Sequence, residues 1–210
     1  FTSGFLTLLL VVWMVNLYNF MDGMDGLASG MALFGFGALA TLGWRGGDPA
    51  YTLTCASIAA AAGGFMTANF PPARLFLGDL GSTMLGLLAA ALALHGSASG
   101  LFPLWVAGLA FSPFIVDATT TLLRRALRGE PLWQAHRSHY YQRLVLAGWS
   151  HRRVLLRALM LMAACAACAI AAPGLTPPDQ WLLLAGWTGI YILIGLRVRL
   201  VERQPGWIRP

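Results

Sequence analysis

Seven apolar runs, each close to the length of a membrane crossing, leave this chain little choice but a helical bundle in lipid. They extend over about residues 2–19, 26–44, 51–68, 80–95, 101–123, 154–172 and 181–196. About 20 residues rising 1.5 Å each cross roughly 30 Å of hydrocarbon. Hydrocarbon supplies no hydrogen-bond partners, so each crossing must satisfy its own backbone, which a lone segment does only as a helix. The run at 80–95 is the shortest and is glycine-rich, so a tilted helix or one borrowing residues from the preceding loop is expected there. Hydrophobic residues make up 58% of the chain and charged residues 10%. A soluble domain spends about a quarter of its residues on charge, so a water-soluble fold is excluded. The expected fold is all-α: residues 1–210 form a single integral membrane domain, a polytopic bundle of about seven spans.

All 14 basic residues are arginine and the net charge is +6. They sit in short stretches between apolar runs, the pattern of a bilayer partner and not of a nucleic-acid binder. If the spans alternate, the loops at about 20–25, 69–79 and 124–153 and the segment 197–210 share one side. Thirteen of the 14 arginines lie on or beside that side, and only Arg45 opposes them. The excess of arginine predicts that this side is cytoplasmic. Cys55, Cys165 and Cys168 all lie in apolar runs and read as small packing residues, not as a redox or metal centre. Gly26 and Gly30, the small-residue stretch 59–64 and the alanines of 163–172 predict close helix packing.

Polar residues collect at the arginine-rich ends of the spans. Asn16, Asn19, Asp22 and Asp25 recur every three residues, and Gly23 and Gly26 follow the two aspartates. This predicts a helix that opens into a tight turn and restarts beyond Asp25, where helix N–H groups favour a carboxylate or a bound anion. Simple helix capping is the alternative for both aspartates. A second cluster surrounds Asp79, with Gly78, Gly81 and Ser82 beside it and Asn69 and Arg74 upstream. Its glycines permit close backbone approach to phosphate, and its carboxylate suits Mg²⁺; capping is again the alternative. The loop 124–153 carries His136, Arg137, His139 and Arg143, a density of donors suited to pyrophosphate oxygens; zinc is disfavoured for want of matched ligands. On a helix, His136 and His139 would share a face. Asp117 lies inside the fifth run, where an ionisable group implies either a function or an ion pair with Arg124 or Arg125. Together these residues resemble a phosphate site, with carboxylates for a divalent cation and basic groups for oxyanions.

The same clusters carry a family resemblance. NLYNFMDGMDGLASG at 16–30, FLGDLGSTMLG at 76–86 and AHRSHYYQRL at 135–144 resemble the signatures of the polyprenyl-phosphate N-acetylhexosamine-1-phosphate transferases. That superfamily includes the undecaprenyl-phosphate GlcNAc-1-phosphate transferases and the phospho-muramoyl-pentapeptide transferases. The resemblance implies transfer of a HexNAc-1-phosphate from a UDP-sugar to undecaprenyl or another polyprenyl phosphate, giving polyprenyl-pyrophosphoryl-sugar and UMP. It further implies Mg²⁺ or Mn²⁺ as cofactor, the bacterial inner membrane as location and cell-surface glycan synthesis such as lipopolysaccharide as pathway. By motif position, Asp79 becomes the leading metal ligand and Asp22, Asp25 and Asp79 the catalytic carboxylates. Asn16, Asn19, Arg74, His136, Arg137, His139 and Arg143 become substrate contacts, while Gly78, Gly81, Ser82 and Asp117 keep structural or open roles. A second copy of the chain is admitted as a partner.

Two departures qualify the resemblance. The family's His-x-His-His stretch is replaced by His139, Tyr140, Tyr141 and Gln142, which favours the glycan-initiating branch, as do Asp117 and the pattern PLWQAHRSH. Family members also run to ten or eleven spans and carry an early Asp-Asp pair that is absent here. The expectation is a chain lacking its first three or four spans, which raises an inactive fragment as an alternative. A transporter or flippase for an anionic lipid or solute is the alternative of another class, but it calls for polar residues on both sides. The opposite loops offer only Arg45, Asp48, His95 and Asp179.

Overall fold

The computed structural model describes residues 2–131, 134 and 137–202. Among them the chain is helical with no strand: α1 Thr2–Met21, α2 Leu27–Arg45, α3 Pro49–Asn69, α4 Gly78–Ala98, α5 Leu104–Ala110, α6 Ser112–Leu127, α7 Tyr140–Leu146, α8 His151–Ala171 and α9 Pro177–Glu202. This is the expected polytopic all-α membrane bundle.

A helix stands at each of the seven apolar runs, with two refinements. Five helices (α1, α2, α4, α8 and α9) are long and apolar enough to cross a membrane, and α5 with α6 adds a sixth span if the bent pair counts as one. The expected fifth span is this bent pair, whose axis turns by 82° at Phe111. Pro113 opens α6 without a backbone donor, and Ser112 Oγ donates to the Leu109 carbonyl at 2.7 Å, so the ladder is interrupted there. The expected third span is present as the helix α3, but Thr52, Thr54, Ser57, Thr67 and two glycines dilute its apolar content, and it is not among the five.

The centre of the bundle is α2, of whose span 72% is buried, against 11% for the lipid-facing α9. Tyr18, Phe36, Phe111 and Phe114 are all fully buried and meet edge to face, with Tyr18 and Phe114 ring centres 5.2 Å apart. Such aromatic contacts add to simple burial. Gly35 leaves the space that the Phe111 ring occupies at the bend. Between α1 and α4 the backbones touch: a methyl group on Gly86 would stand 2.5 Å from the Met14 carbonyl oxygen. This is small-residue packing as membrane helices use it.

The loops fall at two ends. Contacts of Asn19 with Asp79, Asp25 with the Ala73 amide, Tyr141 with Phe20 and Arg143 with Glu202 bring together the four segments expected on the arginine-bearing side. At the other end Arg45 donates to the Ile170 carbonyl at 2.7 Å and Tyr51 stacks on His95. The alternation expected from the arginines is thus present in three dimensions.

Candidate active site

Three segments build a cleft at the arginine-rich end. The helix α1 carries Asn19 into it, and α4 begins there with Asp79 in its first turn. The Asn19 amide donates to Asp79 Oδ1 at 3.1 Å and to Ser82 Oγ at 3.2 Å. Gly78 turns the chain into α4 with φ +68°, a left-handed conformation that a side chain would resist. Asp79 does not cap its own helix.

Between α1 and α2, residues 22–26 form the expected turn. Gly26 is left-handed (φ +77°), and a side chain on it would strike Leu155 of α8. Asp25 reaches across the cleft, its Oδ2 accepting the Ala73 N–H at 3.0 Å. Asn69, at the end of α3, is buried and accepts the Gly26 N–H at 2.8 Å while its amide donates to the Leu75 carbonyl. These bonds tie the turn to the loop before α4, so the N-terminal amide next to α2 is already satisfied by Asn69 and not by Asp25.

Asp22 is half-buried. Its carboxyl is pushed up to about 7, first by burial and then by the negative charge of Asp79. Two carboxylates that repel each other across one cleft fit a divalent cation, because Mg²⁺ is commonly held by one or two carboxylates with waters and substrate phosphates. No group of three or more His, Cys, Asp or Glu side chains converges among the described residues.

The helix α7 forms the far wall. Asp117 Oδ1 lies 3.2 Å from His139 Nδ1 and accepts the Tyr140 N–H at 3.0 Å and the Thr121 hydroxyl at 3.2 Å. Of the two readings open for Asp117, the ion pair with Arg124 or Arg125 is not formed: Arg124 donates to the Ser138 carbonyl, and Arg125 binds Glu130 and the Pro131 carbonyl. The buried His139 ring stacks between Phe20 and Tyr141. Burial, with the Asp117 charge next, raises the Tyr141 hydroxyl from its ordinary value, so it remains a donor, and it reaches the Phe20 carbonyl at 3.4 Å. Gly23 has no side chain because that hydroxyl fills the space: a Cβ there would lie 2.2 Å from it.

The structure gathers Asn19, Asp22, Asp79 and Ser82 in the cleft, Asp25 across it, and His139 and Asp117 in its wall. Arg137 is exposed and borders a pocket of about 300 Å³ with Gly23, Gln142 and His151. Arg74 is exposed on the loop before α4. Asn16 and Arg143 are not brought in. Asn16 is exposed on α1 and donates to the Val12 carbonyl at 2.7 Å. Arg143 is buried and forms a two-pronged pair with Glu202 of α9. His136 lies outside the described residues; His139 stands just before α7. Gly81 lies inside α4 against Leu77. Sequence reasoning missed Tyr141, Gln142 and Glu202. Gln142 accepts the His139 N–H at 3.2 Å, and its spacing of three from His139 is the signal of a helix start.

Residues 1–97, which include Asn19, Asp22, Asp25 and Asp79, match the sequence profile described as Glycosyl transferase family 4. A probable undecaprenyl-phosphate N-acetylglucosaminyl 1-phosphate transferase of Bacillus subtilis is 34% identical over 153 residues, 72% of this chain and 43% of the relative. The chain belongs to glycosyl transferase family 4. A decaprenyl-phosphate N-acetylglucosaminephosphotransferase of Mycobacterium tuberculosis is 34% identical to this family 4 chain over 180 residues, 74% of it and 44% of the relative. A phospho-N-acetylmuramoyl-pentapeptide-transferase of Shouchella clausii is also 34% identical, over 163 residues covering 74% and 48%. The family 4 chain thus spans about half the length of the curated relatives it matches.

Proposed function

We propose that this family 4 chain supplies the catalytic face of an enzyme that transfers a HexNAc-1-phosphate from a UDP-sugar to a polyprenyl phosphate. An oxygen of the acceptor phosphate bonds to the phosphorus that carries the sugar. The bridging P–O bond breaks and UMP leaves. The observation that carries this reading is the cleft in which the Asn19 amide holds the Asp79 carboxylate, with the half-buried Asp22 close enough to feel its charge. The relatives named for transfer to undecaprenyl or decaprenyl phosphate support the same chemistry.

Each residue has a task that its position supports. Asp22 and Asp79 would hold Mg²⁺ or Mn²⁺, with the Asn19 amide fixing the Asp79 carboxylate. When bound, the cation offsets the charge that builds on the transferring phosphoryl group. Asp25 and Asn69 hold the loop 70–77 against the turn 22–26, so the cleft keeps its width. Arg137 stands at the pocket beside Gly23, where it meets the donor's diphosphate. Asp117 fixes the ring of His139 in the wall. Tyr140, Tyr141 and Gln142 support the glycan-initiating branch: Tyr141 and Gln142 brace the turn and the start of α7 in place of extra histidines. By the arginine excess, this end faces the cytoplasm of a bacterial inner membrane.

The test is UMP release by the full gene product in nanodiscs, with polyprenyl phosphate, Mg²⁺ and a panel of UDP-HexNAc donors. Asp79→Asn is expected to abolish release. Turnover that persists undiminished in EDTA would overturn the assignment of the cleft, and a donor preference for the muramoyl-pentapeptide would overturn the branch.

A further inference from the structure

A cavity of about 490 Å³ lies between α6, α7, α8 and α9, bounded towards the acidic cleft by Met21, Asp117 and Tyr141. The helices α8 and α9 are bridged by a polar node, where Ser112 Oγ lies 2.6 Å from Tyr191 OH and Tyr191 OH lies 3.4 Å from Cys165 Sγ. Beyond that node the walls are apolar, with Phe114, Leu161, Met162 and Ile194 among them.

Two arginines also line this space, Arg157 from α8 and Arg197 from α9. Arg157 follows the start of α8 by six residues, and Arg197 precedes the end of α9 by five. At 1.5 Å per residue, both stand about 8–9 Å from the arginine-rich end of their helices. Long cationic side chains at such depth reach for headgroups. Both are exposed, and neither has a carboxylate partner among the described residues; Arg157 lies over the Trp149 ring at 4.2 Å. The nearby acids are already engaged: Asp117 with His139, Tyr140 and Thr121, and Glu202 with Arg143.

An apolar volume flanked by two unpaired guanidinium groups complements a phosphate that carries an aliphatic chain. We propose that the cavity holds an acyl chain of an anionic phospholipid from the surrounding bilayer, its phosphate seated between Arg157 and Arg197. Tyr140, Tyr141 and Leu144 line the same cavity, so the lipid braces α7 from behind. The site lies behind the wall that Asp117 and Tyr141 share with the acidic cleft, and the lipid proposed for it is a bilayer phospholipid and not the polyprenyl acceptor.

The test is thermal melting of the detergent-purified chain with added phosphatidylglycerol, phosphatidylcholine or polyprenyl phosphate. Phosphatidylglycerol is expected to raise the midpoint by about 4 °C, the size of shift a lipid binding the folded state gives a chain of this length. Phosphatidylcholine should give under half of that. Arg157→Gln with Arg197→Gln should lose the difference between the two lipids. Arg157→Lys with Arg197→Lys should keep most of it, which separates lost charge from lost folding. Ala158→Trp, which fills the cavity, should lose the response to phosphatidylglycerol while both arginines remain. Equal shifts with both phospholipids, an unchanged response in the glutamine pair, or stabilisation by polyprenyl phosphate alone would overturn the proposal.

Discussion

The amide of Asn19 on α1 donates to the carboxylate of Asp79 on α4 at 3.1 Å, joining residues 60 apart in the chain. Asn19 also reaches Ser82, so one amide sets the direction of the carboxylate proposed to hold the metal. Residues that orient a ligand typically change metal affinity by about 10–100-fold when removed. Asn19→Ala is therefore expected to raise the Mg²⁺ concentration needed for half-maximal UMP release by about that factor, with much of the rate recovered at saturating Mg²⁺. A Mg²⁺ titration of wild type and variant checks it; an unchanged half-saturation point would separate Asn19 from the metal.

That hydrogen bond depends on how closely α1 and α4 pack one turn further along. Gly86 faces the Met14 and Val15 backbone, which cannot swing aside as a side chain can. Gly86→Ala should push the helices apart, at a cost of about 1–3 kcal/mol typical of overpacking. The melting point should fall, and the Mg²⁺ requirement should rise as in Asn19→Ala. Gly37→Ala is the control, since a Cβ at Gly37 meets nothing within 4 Å. Equal melting points for the two variants would refute the close contact.

The clusters were legible in the sequence because membrane topology is: apolar runs fix the alternation, and alternation puts Asp22, Asp25 and Asp79 at one end. Glycines beside the aspartates marked the turn at 22–26 and the left-handed Gly78. What escaped was set by contacts between distant segments. Phe111 and Ser112 lie in an unbroken apolar run, so hydropathy passes smoothly through an 82° bend that only Pro113 hints at. For Asp117, Arg124 and Arg125 stand at helical spacing, but the loop after α6 folds back and delivers His139 instead. Arg143 looks like any basic loop residue until α9 brings Glu202 to it from 59 positions away.

Asp117 concentrates three contacts on one oxygen, two donated by Tyr140 N–H and Thr121 and one shared with His139 Nδ1. An asparagine can keep its Oδ1 in that place, so Asp117→Asn should melt close to wild type while losing the negative charge beside His139. Its kcat for UMP release is expected to fall about tenfold or more. If Asp117 acts through His139, the double variant with His139→Ala should be no slower than His139→Ala alone. Independent, multiplying losses would show that the two side chains do not act as a unit.

Asp22 links the cleft to pH. Its folded pKa is about 7, against an ordinary value of 3.8. Below pH 3.8 the carboxyl is protonated in both folded and unfolded chains. Between about 4 and 7 the folded state holds the extra proton, so stability from this group is lost as pH rises through that window. The metal-free chain should melt lower at pH 7.5 than at pH 5, and Asp22→Asn should flatten that difference. Mg²⁺ at pH 7.5 should restore the wild-type midpoint by offsetting the carboxylate charges. A midpoint that rises with pH in the metal-free wild type would contradict the placement of Asp22 beside Asp79.

Gly23 and Tyr141 give the last test, because it isolates the contact between the turn and α7. A Cβ on Gly23 would meet the Tyr141 hydroxyl at 2.2 Å and Gln142 Nε2 at 3.4 Å. Gly23→Ala must therefore displace either the turn that carries Asp22 or the helix that positions His139, and UMP release should drop about tenfold or more. Tyr141→Phe removes the hydroxyl that causes the clash and forfeits its 3.4 Å bond to the Phe20 carbonyl, a modest loss of about 1 kcal/mol. The double variant should then recover most of the activity that Gly23→Ala loses. Such a favourable coupling is the signature of two groups in direct steric contact. A double variant as slow as the product of the two single effects would mean that the turn and α7 do not meet at this point.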